Sequence, residues 1–465
     1  MVDLAKRYDV LVIGGGNAVL CAAITARRRG CSVLVLEAAP KFYRGGNTRH
    51  TRNIRVAHDG PSGLMTGAYP EEEFWADLQR VTGGETDEHL ARRMIRLSKE
   101  LQSWLGAQGV HFQAPLQGSI GLDRTNAFFL GGGRAMLNAL YRTALGLGVE
   151  ALYDAEVVNL VVDGNRFVSA IVETATGRFA VEATSLVAAA GGFEANLEWL
   201  KQYWGDKADN FIIRGTPYNR GRVLRILLDN GIEPVGDPTQ CHAVALDVRA
   251  PRFDGGIITR LDSIVYGIVV NRDSQRFYDE DEDMWPKRYA IWGRLIAAEP
   301  GQIAFSIHDA RMEGRFIPPP FPAIKADTIP ELAVKLGLDG AALAATVAAF
   351  NEAVRPGTFD TTKLDDCRTE GLELPKTHWA TPLDRPPFSA YPLRPGITFT
   401  YLGTRVDDRG RILMAGGAPS ANMFAAGEIM AGNILGKGYL AGIGMTIGGV
   451  SGRVAGEGAA AHAFN

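Results

Sequence analysis

The stretch "YDVLVIGGGNAVLCAAITARRRGCSVLVLE", residues 8–37, decides the fold of this chain. Residues 8–13 form a short, continuous apolar run, which predicts a strand buried on both faces. Three glycines follow at once, and residues 18–29 then show helical spacing that ends in a basic run. Residues 32–36 predict a second buried strand, which ends in Glu37. The pattern is typical of a βαβ unit with a glycine-rich first turn, and so of an α/β fold.

The glycine-rich turn is suited to a dinucleotide. Glycines allow backbone N–H groups to approach a pyrophosphate, and the N-terminus of the following helix favours negative charge. Glu37 lies about 20 residues beyond the turn, where an acid binds a ribose hydroxyl. Val19 stands where the fingerprint has its third glycine, so helix and strand must lie slightly further apart there. A plain βαβ turn without a ligand is the alternative, and the fragment alone does not decide between FAD and NAD.

Length and composition predict a globular protein with two or three domains. The chain has 465 residues, of which 46% are hydrophobic and 22% charged. The net charge of −3 gives no indication of nucleic-acid binding. The 4 cysteines form no CxxC pair and no haem-attachment motif, so we expect no metal, cluster or haem site. With no secretory signal and no long apolar run, we expect a cytoplasmic protein.

The rest of the chain predicts a second domain inserted into the first. Helical spacing appears at residues 71–80, at 87–108 behind an Asp87 cap, and again at 330–354. Glycine motifs stop near residue 237 and return near the end of the chain. The predicted division is 1–236 and 380–465 for the dinucleotide domain, with 237–379 as the insertion. Gly131–Gly133 and Gly191–Gly192 lack the helix and acid-ended strand of a second nucleotide fold, so we expect one dinucleotide.

At this point the sequence resembles the fumarate reductase/succinate dehydrogenase flavoprotein superfamily. The motifs are "VLVIGGGNA", "LEAAP", "RGGNT", "GGGRAM", "LVAAAGGFEAN", "VVNRDSQRFYDE" and "FAAGE", in family order over nearly the whole chain. Within the superfamily, "GGNTRHTRN", "DEDMWPKRYAIWGR", "PGITFTYLG" and "AGNILGKGY" are similar to a branch that dehydrogenates tricarballylate. The resemblance implies a Rossmann-like FAD-binding domain with an inserted α+β capping domain that binds substrate.

The resemblance also implies FAD. No histidine other than His50 adjoins the glycine motifs, so we expect the FAD to be non-covalent. The positions implied for it run from the first glycine turn to the C-terminal loop: Gly14, Gly16, Asn17, Ala18, Glu37, Gly45, Gly46, Asn47, Thr48, Val157, Gly191, Gly427, Glu428, Gly442, Gly444 and Met445.

The family's catalytic pattern carries over only in part. Its substrate histidine in the cap falls on His242, and its threonine–glutamate pair falls on Thr259 and Arg260. The arginine that transfers the proton is matched best by Arg288, with Lys287 as an open alternative. The family's second histidine and its C-terminal arginine fall on two aromatic residues, beside which a lysine lies: Phe399, Tyr439 and Lys437. These departures favour an acid other than fumarate or succinate.

Basic residues also follow the "GGN" motif in "RGGNTRHTRNIR", residues 44–55. We expect one or two of them, with Arg52 as the candidate for catalysis, to face a substrate carboxylate or the flavin carbonyls. The others would pair with acids or with pyrophosphate. The set is Arg49, His50, Arg52 and Arg55.

The sequence therefore predicts an FAD-dependent dehydrogenase of a CH–CH bond in a tricarboxylic acid, tricarballylate to cis-aconitate. A hydride would go to the flavin and a proton to an arginine. The electrons would pass to a membrane-associated electron-transfer protein, so peripheral contact with the inner membrane is compatible with the prediction. The alternatives are a fumarate reductase-like enzyme, a ketone dehydrogenase on the same fold, and a flavin-binding pathway component without turnover.

Overall fold

The computed structural model describes residues 2–116 and 121–464. Its helices are α1 (Asn17–Arg28), α2 (Glu71–Thr82), α3 (Glu88–Ser98), α4 (Leu101–Ala107), α5 (Gly132–Gly146), α6 (Leu197–Trp204), α7 (Arg222–Asp229), α8 (Trp285–Arg288), α9 (Trp292–Ala298), α10 (Ile329–Leu336), α11 (Gly340–Ala353) and α12 (Ile443–Ala463).

The strands are distributed among these helices along the chain. They are β1 (Tyr8–Ile13), β2 (Val33–Leu36), β3 (Asn53–Arg55), β4 (Phe112–Gln113), β5 (Asn126–Phe129), β6 (Glu150–Leu152), β7 (Glu156–Asp163), β8 (Arg166–Thr174), β9 (Gly177–Ala188), β10 (Ile212–Ile213), β11 (Pro234–Val235), β12 (Cys241–Asp247), β13 (Ile268–Asn271), β14 (Ala304–His308), β15 (Ile324–Ala326), β16 (Val354–Arg355), β17 (Arg368–Thr369), β18 (Phe388–Thr400), β19 (Gly403–Thr404), β20 (Arg411–Leu413) and β21 (Pro419–Ala425).

The βαβ unit predicted from residues 8–37 is confirmed and lies at the centre of the larger sheet. The strand order is β20-β21-β9-β1-β2-β6, and β1 pairs in parallel with both β2 and β9. Because β1 is covered on both faces, its apolar side chains are fully buried. The parallel strands β1, β2, β9 and β21 end at one edge, where α/β sheets bind ligands.

A second sheet of six strands forms the cap. The long strand β18 is its hub, because β10, β12, β14 and β15 all pair with it, and β13 pairs with β14. The predicted domain boundaries at residues 236 and 379 stay a prediction. Two strands of the cap sheet come from outside the predicted insertion 237–379. Strand β10 precedes residue 237 and β18 follows residue 379. The cap sheet is thus built partly from chain segments that were predicted for the FAD-binding domain.

Two predicted helices are wrong in extent. The helix expected over 87–108 does begin behind Asp87, which accepts a hydrogen bond from the Leu90 N–H at 3.0 Å, but it divides into α3 and α4. At the break, the Lys99 N–H bonds to the Arg96 carbonyl, three residues back instead of four.

The helix expected over 330–354 likewise divides into α10 and α11. Gly337 ends α10 at φ +71°, a left-handed conformation that glycine adopts without steric cost.

The C-terminal helix α12 packs directly on α1. A Cβ atom on Gly452 would lie 2.4 Å from the Ala18 carbonyl oxygen, and one on Gly456 would lie 2.5 Å from that of Ala22. The glycines therefore allow the two helix backbones to approach closely, which brings the N-termini of both helices to the same region. Within the described residues, no helix combines the length and apolarity needed to cross a membrane.

Candidate active site

One large cavity lies between the main sheet and the cap. It encloses about 1500 Å³ of space not filled by protein atoms, its open mouth included. All of the positions that the sequence implied for FAD line it, from the first glycine turn through Glu37 and Val157 to Met445. Their individual contacts with the cofactor stay a prediction, whereas their convergence on one cavity is a property of the fold.

Backbone shapes the nucleotide end of the cavity. Gly14 has φ +118°, and a Cβ atom on it would lie 2.5 Å from the Ala189 carbonyl oxygen, so only glycine fits there. Thr48 accepts a hydrogen bond from the Asn17 N–H at 3.0 Å, which ties the second glycine loop to the start of α1. A narrow cradle of glycine backbone at a helix N-terminus suits a pyrophosphate.

Glu37 lies at the end of β2, as the sequence predicts, and is buried. Its carboxylate accepts hydrogen bonds from the N–H groups of Ala39 and Gly45, each at 3.0 Å. Burial raises the pKa of this carboxyl, while those backbone donors act against the rise. A fixed carboxylate beside the glycine cradle is the group that would hold a ribose, and the residues present thus fit FAD.

A pair of buried carboxyls lies beneath the middle of the cavity. Glu428 accepts a hydrogen bond from the Thr400 N–H at 2.8 Å, and Glu194 accepts one from the Asn219 amide at 2.8 Å and another from Asn47. Burial raises the pKa of Glu428 well above its usual range, and the neighbouring Glu194 raises it further. Because burial and the neighbouring carboxyl both favour the protonated form of Glu428, we expect the two carboxyls to share a proton.

The far end of the cavity, toward the cap, is aromatic. The His242 ring stacks on Tyr439, with ring centroids 4.0 Å apart, and Phe399 packs against the same tyrosine. His242 Nε2 lies 3.0 Å from the Tyr289 hydroxyl, and Nδ1 lies 3.3 Å from the Thr398 hydroxyl. Burial, followed by nearby arginines, lowers the pKa of His242 well below its usual range, so its imidazole is neutral.

Three buried arginines surround this aromatic group. Arg214 and Arg260 line the cavity, and Arg52 lies beside them with Nη2 at 3.7 Å from the Asp262 carboxylate. Asp262 is bonded to Arg260 at 2.7 Å and accepts a hydrogen bond from the Trp285 indole N–H at 2.8 Å. Burial, with repulsion from Arg260 as a further cause, lowers the pKa of both Arg52 and Arg214 to about 10. All three remain charged at neutral pH.

The arginine cluster has more donors than partners. Within residues 2–116 and 121–464, Nε of all three guanidinium groups is buried without a hydrogen-bond partner, as are Arg52 Nη2 and Arg214 Nη1. Asp262 pairs with Arg52 and Arg260, whereas Arg214 has no ion-pair partner among the described residues. Because buried donors and charges are costly when unpaired, this cluster is suited to bind an anion.

The structure does not bring every predicted catalytic residue to this site. His242, Arg260 and Tyr439 line the cavity, and Arg52 adjoins it. Two other predicted residues lie elsewhere, and each already has a partner. Arg288 donates to the Tyr278 hydroxyl at 2.7 Å and pairs with Glu282, and Lys437 pairs with the exposed Glu85 at 2.9 Å. Lys287 pairs with Asp77 and Asp283.

The basic residues after "GGN" divide among several roles. His50 lines the cavity and pairs with Asp254 of the cap. Arg55 lies outside the cavity lining and donates a hydrogen bond of 2.7 Å to the Tyr69 hydroxyl. Arg49 is buried against Tyr43.

Sequence reasoning missed Arg214, Tyr289 and Asp262. Arg214 stands in no recognisable motif, and only the pairing of β10 with β18 carries it to the cavity. Tyr289 directly follows the predicted Arg288 in sequence, and it lines the cavity whereas Arg288 does not.

Comparisons with known proteins agree with this geometry. The sequence profile of a family described as "FAD binding domain" matches residues 9–445. An NADH:fumarate oxidoreductase of Klebsiella pneumoniae is 26% identical over 92% of this chain, and a probable fumarate reductase of Shewanella frigidimarina is 26% identical over 99%. The chain spans 45% of the first relative's length and 76% of the second's. The match therefore covers less than half of the length of the first relative and most of the length of the second.

Among solved structures, the open conformation of a flavocytochrome c3 fumarate reductase superposes with a TM-score of 0.77. The match covers 99% of this chain and 79% of that one, at 23% identity. At that identity the likeness shows the shared fold of the two chains.

Proposed function

The chain belongs to the FAD binding domain family, within the fumarate reductase/succinate dehydrogenase flavoprotein superfamily, and we propose that it is an FAD-dependent dehydrogenase of a tricarboxylic acid. The reaction would remove two hydrogens from adjacent carbons of tricarballylate and give cis-aconitate. One observation carries the proposal: three buried arginines lie together at the end of the cavity that faces the cap, and within the described residues Asp262 pairs with only two of them, Arg52 and Arg260.

Unpaired donors are the reason to prefer a tricarboxylate. Arg52, Arg214 and Arg260 carry three positive charges and Asp262 returns one negative charge, a net charge of +2 that succinate would already balance. Tricarballylate has a third carboxylate, which can also reach the unpaired donors of a third guanidinium. Charge-assisted hydrogen bonds of this kind are roughly twice as strong as neutral ones. An apolar ketone would leave all of these donors unpaired.

The same cations would assist the chemistry. Removal of a proton from the carbon next to a carboxylate places negative charge on that carboxylate, and fixed guanidinium groups in a dry site stabilise it. Bound FAD would accept the second hydrogen as a hydride. The stacked pair of His242 and Tyr439, with Phe399, would confine the carbon chain between the cations and the flavin.

The electron acceptor belongs to the proposal as well. The sequence shows no haem or cluster motif, so we propose that electrons pass to a separate electron-transfer protein associated with a membrane. A cytoplasmic location with peripheral contact at the inner membrane would be consistent with that partner, and both stay predictions.

An anaerobic half-reaction tests the proposed function. The FAD-loaded protein is mixed with tricarballylate, succinate and citrate in turn, and the visible flavin absorbance is followed. We expect tricarballylate to bleach the flavin at least tenfold faster than succinate. Faster bleaching by succinate would contradict the argument from unpaired donors. A flavin that no acid bleaches, and that cis-aconitate does not reoxidise after chemical reduction, would contradict the proposed reaction.

A further inference from the structure

We propose that Tyr289 is the residue that takes the proton from the substrate, with His242 as the acceptor of the tyrosine's own proton. This inference rests on the proposed function, and it replaces the predicted arginine by its neighbour in sequence. Tyr289 is buried, lines the cavity beside Arg260 and holds its hydroxyl 3.0 Å from His242 Nε2.

The other candidates for this role are engaged elsewhere. Arg288 lies outside the cavity lining, where Tyr278 and Glu282 hold its guanidinium. Tyr439 lines the cavity, but its hydroxyl accepts the Gly444 N–H at 3.0 Å, at the start of α12. His242 itself directs Nε2 to Tyr289 and Nδ1 to the Thr398 hydroxyl. The hydrogen bond from Tyr289 to Nε2 therefore offers a route by which a substrate proton can reach His242.

Nearby cations make the Tyr289 hydroxyl a better proton donor to His242 than the hydroxyl of an ordinary buried tyrosine. The Arg260 guanidinium carbon lies 4.6 Å from the centre of the Tyr289 ring. Burial raises the pKa of Tyr289, and Arg260, Arg214 and Arg52 each act to lower it. Developing negative charge on the oxygen is thus stabilised in the same place where the substrate carboxylates bind.

The proton transfer balances in two linked steps. The C–H bond beside a substrate carboxylate breaks, its proton forms an O–H bond at Tyr289, and the tyrosine's original proton forms an N–H bond at His242 Nε2. The electron pair left on carbon forms the C=C bond as the neighbouring hydrogen departs with its two electrons to bound FAD, which is reduced. His242 returns its proton to solvent after the product leaves.

The state of His242 in the free protein fits this order of events. Its imidazole is neutral because burial and the nearby Arg214 and Arg260 disfavour a second positive charge. A bound polycarboxylate neutralises those arginines, which makes the imidazole more basic only when substrate is present. His242 is thus ready to accept a proton at the moment when one becomes available.

The decisive experiment compares Tyr289→Phe with the wild-type protein, both loaded with FAD. The affinity for tricarballylate is measured by calorimetry, and the anaerobic bleaching rate by stopped flow. We expect Kd to stay within threefold, because the arginines are intact, and the bleaching rate to fall at least 100-fold. Tyr391→Phe is the matched control, a buried cap tyrosine that lies outside the cavity lining, and its rate should be that of the wild type.

A second variant guards against a misfolded Tyr289→Phe protein. His242→Asn retains a polar atom near Thr398 but removes Nε2, so we expect slower bleaching and a changed solvent isotope effect, with tricarballylate still bound. Bleaching of Tyr289→Phe within fivefold of the wild-type rate would overturn the role of Tyr289 alone. Failure of tricarballylate to bleach the wild-type protein would overturn the proposed function, and this inference with it.

Discussion

Replacement of Arg214 by methionine should weaken the binding of substrate and at the same time stabilise the substrate-free protein. Arg214 lines the cavity, and two of its guanidinium nitrogens have no hydrogen-bond partner within the described part of the chain. Methionine retains an apolar stem of similar length without the charge. The two effects have opposite signs because an unpaired buried cation costs stability until an anion arrives.

The magnitude follows from the pKa of Arg214. Burial lowers it from 12.5 to about 10, which corresponds to a cost of about 3 kcal/mol for holding the charge in the folded protein. A base with a lowered folded pKa carries this full cost at every pH below the folded value, so the whole working range is affected. The loss of charge-assisted hydrogen bonds to a carboxylate, about 1.5–3 kcal/mol, should raise the Kd for tricarballylate roughly 10- to 150-fold.

Calorimetry and thermal unfolding of the FAD-loaded protein measure the two effects separately. We expect Arg214→Met to raise the Tm without ligand and to reduce the Tm increase that tricarballylate produces. Arg394→Met is the control: this arginine donates to the Gly301 and Gln302 carbonyls at 2.7 and 3.2 Å, outside the cavity lining, so its loss should lower the Tm and leave Kd unchanged. A Kd within threefold of wild type, or a Tm that falls by several degrees, would refute the reasoning for Arg214.

Three further changes test other parts of the site. Gly15→Ala would place a Cβ atom on the Glu37 carboxyl, so the purified variant should contain much less FAD per protein by absorbance. Above about pH 4.5 a carboxyl whose pKa is raised in the folded protein destabilises the fold as it ionises, so Glu428→Gln should make the Tm fall less steeply with rising pH. If the slope of Tm against pH is the same as in the wild type, a proton shared with Glu194 is contradicted. Asp262→Asn should lower the substrate-free Tm and enlarge the Tm increase from tricarballylate, since the ligand would then supply the missing counter-charge.

The cofactor end of the site could be predicted from the sequence because backbone makes it. The glycine turn after β1, the acid at the end of β2 and the glycine-dense start of α12 are contiguous stretches whose shape depends on local residue choice. Their positions in the chain therefore translate directly into positions around the cavity.

The catalytic end could be predicted only in part, because side chains from distant segments make it. In a helix each residue turns about 100° from the last, so the adjacent residues Arg288, at the end of α8, and Tyr289 face different surroundings: Arg288 pairs with Glu282, and Tyr289 lines the cavity. Arg214 reaches the cavity because its N–H bonds to the Ile397 carbonyl of β18 at 3.0 Å, a pairing between segments almost 200 residues apart that no local pattern reveals.

The number of acidic partners distinguishes the arginines at the cavity from the basic residues of the family motifs. Arg288 and Lys437 are basic residues in motifs typical of the family, yet each already has an acidic partner. Arg52, Arg214 and Arg260 come from three separate segments, and in the part of the chain that the structure describes only Asp262 pairs with any of them. Because the free protein holds these three charges close together at a cost, a polyanion that neutralises them also joins the FAD-binding part to the cap. We therefore expect a bound polycarboxylate to hold the cap against the FAD-binding part through the same three side chains.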